Sequence, residues 1–153
     1  VRAEDRKAGN SMTRAITTDP DSAGSASTIE LGVLADPSQL SVTRAVAAAL
    51  AAQEDFDLDS IADIRLAIDE SCSRLIVRAT PGARLVCAFT PGPDVLDVAV
   101  TTTTEPGADL DASGFGWHVL NALTDTVSTS QSEHDGVVTT TIEFTKRKHG
   151  LDE

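Results

Sequence analysis

The chain of 153 residues has no tyrosine, one tryptophan and four phenylalanines, so aromatics make up only 3% of it. Its core must be packed from Val, Leu, Ile and Ala. Cysteine is nearly as scarce. Cys72 and Cys87 stand far apart, with no neighbouring Cys or His at ligand spacing, which excludes an ordinary zinc cluster. Both lie in apolar segments and read as small buried hydrophobes. No apolar run reaches the roughly 18 residues that a membrane span needs. The N-terminal stretch lacks the apolar core of a signal peptide. The expected location is therefore the cytoplasm. Basic charge is also in short supply. Twelve Lys and Arg face 24 Asp and Glu, for a formal net charge of −12. That sign repels phosphate backbones, so nucleic acid is not an expected direct partner. A basic protein surface would be steered toward the chain.

Apolar residues make up 41% of the chain. That is enough, at this length, for one domain with one core. Residues 1–27 mix charge with Ser, Thr, Gly and Ala and read as a flexible tail, with Met12 as an alternative start. Thr28–Leu34 alternates, with Ile29, Leu31 and Val33 on one face, and reads as a strand. Asp36-Pro37 opens a helix, with Asp36 as cap, Pro37 in the first turn and Gln39 placed for a capping box. Leu40, Val46, Ala49 and Leu50 form its expected apolar stripe. After an acidic connector, Asp57 or Asp59 caps a second helix to about Ala79. Ile61, Ile64, Ile68, Cys72, Leu75 and Ala79 recur on it at helical spacing. Pro81-Gly82 ends it.

Strands at about Arg84–Phe89 and Val95–Val100 flank a Thr90–Asp94 turn rich in Pro and Gly. Thr101–Ser113 reads as a polar loop. Gly114-Phe115-Gly116 leads into a short helix bearing Val119, Leu120 and Leu123. Two last strands, Thr126–Gln131 and Val137–Thr145, turn at Glu133–Gly136. Lys146-Arg147-Lys148 reads as solvated basic charge opening a C-terminal tail at 147–153. The order predicts an α+β two-layer sandwich, a mainly antiparallel mixed sheet with helices on one face.

The segment Leu66-Ala67-Ile68-Asp69-Glu70-Ser71-Cys72-Ser73-Arg74 resembles the N-box helix of the RsbW-type anti-sigma factor and serine-protein kinase family. That family typically reads Leu-Ala-Val-x-Glu-Ala-Cys-Thr-Asn in this frame. Ser113–Asp125, through Phe115-Gly116-Trp117-His118-Val119-Leu120, looks like the family's second glycine box and its helix. Its Trp-His-Val-Leu wording is closest to the UsfX-like anti-sigma-F branch. The resemblance covers roughly residues 28–146. It implies a GHKL (Bergerat, histidine-kinase-like ATPase) fold, a sigma factor partner, a competing anti-anti-sigma protein of STAS type, and a homodimer.

The resemblance also assigns roles. Glu70 falls on the family's catalytic base. Arg74 falls where the family has a metal-binding Asn, and a guanidinium has no lone pair to offer Mg²⁺. Beside a divalent ion it also adds like charge. Two readings of Arg74 stand open: an ion pair with Glu70 one turn back, or a forked clamp on nucleotide phosphates. Gly114 and Gly116 match the second glycine box in part. Free N–H groups at that helix start are suited to phosphate. The first glycine box, Asp-x-Gly-x-Gly, has no counterpart in Val100–Ala108, and Glu105 substitutes for its Asp only with a shifted loop. Adenine specificity therefore has no visible carrier. The expected cofactor is ATP, held by Glu70, Arg74, Gly114 and Gly116, without a metal ligand set. His118 has no dyad partner and is not a site residue. The acidic stretch 54–63 reads as a solvated helix start or as a face for basic sigma helices. Two functions compete: a sigma-sequestering module switched by partner exchange, and an ATP-dependent serine kinase acting on the anti-anti-sigma protein with Glu70 as base.

Overall fold

The computed structural model describes residues 16–18, 27–107 and 114–149. The expected tail residues 1–15 (with Met12) and 19–26, the loop residues 108–113 and the last residues 150–153 lie outside them.

The elements are β1 (Ile16–Thr18), β2 (Ile29–Leu34), a short 3-10 turn (Pro37–Gln39), α1 (Leu40–Gln53), α2 (Leu58–Arg78), β3 (Arg84–Pro91), β4 (Val95–Thr104), α3 (Phe115–Leu123), β5 (Thr126–His134) and β6 (Val137–Arg147). The strands form one sheet in the order β1-β2-β3-β4-β6-β5. Every pairing is antiparallel. The helices cover one face, so the expected two-layer α+β sandwich is what forms. β1 lies within the segment read as tail and adds an edge strand against β2.

The hydrophobic pattern explains the layering. Leu85, Cys87 and Phe89 of β3, Leu96, Val98 and Val100 of β4, and Ile142 and Phe144 of β6 are buried at period two. Such alternation turns one strand face to a core and the other to water. Onto that face α2 presses Ile64, Ile68, Cys72 and Leu75. Cys72 and Cys87 meet there as free thiols, Sγ to Sγ 3.8 Å. The hydrogen bond to Cys87 and burial push the Cys72 thiol well above its usual range.

Caps and turns set the boundaries. Asp57 is the N-cap of α2, its Oδ1 accepting from the Ser60 N–H at 2.7 Å. Asp59 in the first turn and Arg78 in the last suit the helix dipole. Asp36 accepts from the Ser38 N–H at 2.9 Å. The expected capping box does not close: the Gln39 amide donates to the Ser38 hydroxyl instead, because the first turn is 3-10 and tighter. α1 ends with Asp55 at φ 61°. Asp55 and Phe56 donate to Ala52 and Ala51, a Schellman closure with Asp in the glycine place. Asp135 and Gly136, both at positive φ, make the two-residue turn that matches strand twist between β5 and β6.

Three further expectations need correction. α1 buries Thr43, Ala47 and Ala51 and leaves Ala49 exposed, because the helix rotates small residues onto α2. Thr101–Thr104 is strand, not loop: β4 pairs with β6 through Thr104↔Val138, and Thr102 and Thr104 are 2% exposed. Lys146 is not solvated. It is 8% exposed and donates to Asp63 Oδ2 at 3.0 Å and to the Leu123 carbonyl at 2.9 Å. Lys148 likewise leans over the Phe56 ring, 5.6 Å from its centroid.

Candidate functional site

The 21-residue helix α2 places Glu70 and Arg74 on one side, a turn apart. Their charged groups stand 3.9 Å from each other, with the Glu70 side chain 32% exposed and that of Arg74 13%. The N-terminus of α3 packs directly against them. A Cβ built on Gly116 would collide with Glu70 Oε1 and lie 2.7 Å from Arg74 Nη1. Any larger residue here must push the ends of the Glu70 and Arg74 side chains aside. Trp117, the next residue, sets its ring 5.8 Å from the Arg74 guanidinium carbon, within cation–π range. Gly114 is the N-cap of α3 and offers no side-chain cap. Its carbonyl accepts from the Trp117 and His118 N–H groups at 3.1 and 3.2 Å.

The fold thus brings Glu70, Arg74 and Gly116 into contact, with Gly114 two residues away at the same helix start. His118 is exposed. Glu105 is exposed as well, and its N–H is committed to the Arg78 carbonyl at 3.2 Å. Two cavities, of about 250 and 350 Å³, open elsewhere. One lies on the uncovered sheet face between Asp97, Glu143 and Ser128. The other lies by Leu50, Phe89 and Leu96.

Beneath this helix pair is a set of buried hydroxyls that the loop reading of Thr101–Thr104 hid. The Thr104 and Thr140 hydroxyls are 2.8 Å apart. The Gln131 amide reaches Thr140 Oγ1 at 3.1 Å, and Thr102 donates to the Arg84 carbonyl at 2.7 Å. Ser71 Oγ on α2 is buried with no hydrogen-bond partner among the described residues. Period-two threonines at 102 and 104 were the available signal.

The donor chemistry does not fit Mg²⁺. Glu70 supplies one carboxylate, and its neighbour Arg74 has N–H donors only. Among the described residues no three His, Cys, Asp or Glu side chains converge on a point. An anion fits better, since a guanidinium and the N–H groups of a helix start are both donors.

A helix-covered antiparallel sheet with a glycine-led helix docked on an acid-bearing helix defines a class. The chain matches the histidine kinase-like ATPase domain over residues 33–144, and it belongs to that family. Within it, the chain is similar to the anti-sigma-F factor RsbW of Mycobacterium tuberculosis. The identity is 39% over 108 residues, 71% of this chain, in both the CDC 1551/Oshkosh and H37Rv strains. The chain spans 62% of the length of those relatives. No helix among the described residues is long and apolar enough to cross a membrane.

Proposed function

We propose that this chain is a cytoplasmic anti-sigma factor. It sequesters a sigma factor of the sigma-F class and acts as a homodimer. An anti-anti-sigma protein of STAS type competes for it and frees the sigma factor. The similarity to proteins named anti-sigma-F factor supports the partner class.

One observation supports binding over catalysis: the Arg74 guanidinium stands 3.9 Å from Glu70, where the kinase reading needs a metal ligand beside a free base. Phosphoryl transfer relies on metal electrostatics and positioning. Here Arg74 brings positive charge to the position where that chemistry needs a metal ligand. Arg74 and the N-terminal N–H groups of α3 hold nucleotide phosphates in this reading. ATP then serves as a ligand rather than as a phosphate donor.

The test is direct binding to the sigma-F-class factor of the same genome, followed by titration with the STAS protein and assay of γ-phosphate transfer to it. The reading expects a stoichiometric complex, displacement by the STAS protein and no transfer. Rapid Mg²⁺-dependent transfer would establish the kinase reading instead. Failure to bind the sigma factor would sink both its partner and its role.

A further inference from the structure

α2 is the middle helix of its layer, and one of its faces is uncovered. At 100° per residue, the exposed Leu58, Ala62, Leu66 and Val77 fall within an arc of about 100°, which also carries Asp59 and Asp69. The arc lies opposite the buried Ile64, Ser71 and Leu75. Leu58 is 84% exposed, Leu66 56% and Val77 79%. These are three of the six large apolar side chains that the described residues leave exposed. Single exposed apolar residues are ordinary. Three aligned along one helix, over about 28 Å at 1.5 Å per residue, form a ridge of the kind that marks an interaction site. α1 borders it through the Arg44–Asp69 ion pair at 2.6 Å, and α3 borders it where Gly116 meets Glu70.

The ridge has a charged end. Asp55, Asp57 and Asp59 are exposed around the start of α2, with Glu54 beside them, in a chain of net charge −12. Apolar ridge and acidic end together match one kind of ligand. We propose that the outer face of α2 docks a basic amphipathic helix of the sigma factor. The partner's apolar stripe packs on Leu58, Leu66 and Val77, and its Lys and Arg side chains meet the acidic end. Helix recognition through apolar anchors at helical spacing is a recurrent binding mode. The inference rests on the anti-sigma reading for the partner's identity. It adds the docking face, and it places that face beside Glu70 and Arg74.

The test uses the full chain and the sigma-F-class factor of the same genome. Leu66→Glu and Val77→Glu each put a carboxylate on the ridge. Val137→Glu does the same at an exposed apolar residue of β6, 51% exposed, away from α2. Thermal melting checks that each variant folds. By calorimetry, L66E and V77E are expected to weaken binding about tenfold or more, the loss typical of an interface anchor, with V137E near wild type. Added salt is expected to weaken wild-type binding. Wild-type affinity in L66E and V77E overturns the docking face while leaving the anti-sigma reading intact. No binding by wild type overturns that reading and the docking face with it. A change of oligomeric state in L66E, with sigma binding retained, assigns the ridge to a second copy of this chain and overturns the proposal.

Discussion

Replacing Lys146 with methionine keeps the aliphatic stem and removes the ammonium group. That group makes two contacts: Asp63 Oδ2 at 3.0 Å and the Leu123 carbonyl at 2.9 Å. The Lys146 side chain is 10% exposed, whereas that of Asp63 is 38% exposed, so water screens the ion pair. Its share is discounted to about 0.5–1 kcal/mol. The bond to the Leu123 carbonyl is charge-assisted and shielded. Losing it leaves the last turn of α3 without that donor, at a cost of about 1.5 kcal/mol. The sum is about 2 kcal/mol. At roughly 4 °C per kcal/mol for a domain of this size, Lys146→Met is expected to lower Tm by about 8 °C in differential scanning calorimetry. A double-mutant cycle with Asp63→Asn isolates the ion pair, with an expected coupling of about 0.5–1 kcal/mol. Because Lys146 fastens the C-terminal end of α3 to α2 and β6, the variant should also loosen the Gly116 contact with Glu70. A Tm unchanged within error would refute the reasoning and return Lys146 to solvated charge.

Three other predictions follow from the same contacts. Gly116→Ala should raise stability by up to about 1 kcal/mol on helix propensity alone, but its Cβ must displace Glu70 and Arg74; calorimetry is expected to show no gain, and a Tm several degrees above wild type would mean that α2 and α3 part freely. Bonds from the Ser60 N–H and hydroxyl hold the Asp57 carboxyl below its ordinary range. A lowered folded value means that the cap's stabilisation is present above the unfolded value, about 3.9, and is lost as pH falls through the folded one. Asp57→Ala should therefore melt below wild type at neutral pH, with the gap closing in melts taken below about pH 4; a gap that widens there would contradict the sign. Cys72 and Cys87 are both fully buried, so neither is expected to react with a thiol reagent in the native protein at mildly alkaline pH, while both react in denaturant; prompt native labelling would contradict the packing.

Much of this fold was legible because its strong signals are local. The apolar positions Ile64, Ile68, Cys72 and Leu75 of α2 and the alternation in β3 and β6 depend on neighbouring residues and stand where their spacing put them; Ala79 lies past the helix end in extended backbone, and of the two expected caps Asp57 is the one used. The second half of β4 was not legible. Thr101–Thr104 is polar and next to Pro and Gly, and only pairing with β6 and burial of alternate hydroxyls make it strand. Lys146 failed for a related reason: two flanking charges suggested solvent, whereas its partners lie 83 and 23 residues away. At the candidate site, Glu70, Arg74 and Gly116 were named from a sequence frame. Their contact depends on how α3 docks on α2, which spacing cannot state. The exposed ridge of α2 escaped because helical spacing set Leu66 and Val77 off the core stripe, and no significance was attached to apolar residues on the outer face.

In the proposed function the chain sequesters a sigma factor without phosphoryl transfer. The most direct test is run-off transcription by RNA polymerase loaded with the sigma-F-class factor of the same genome, with the purified chain titrated in. The account predicts that transcription stops near one chain dimer per sigma factor, and returns when STAS protein is added without any phosphate appearing on it. Transcription that persists at molar excess of the chain would contradict the account.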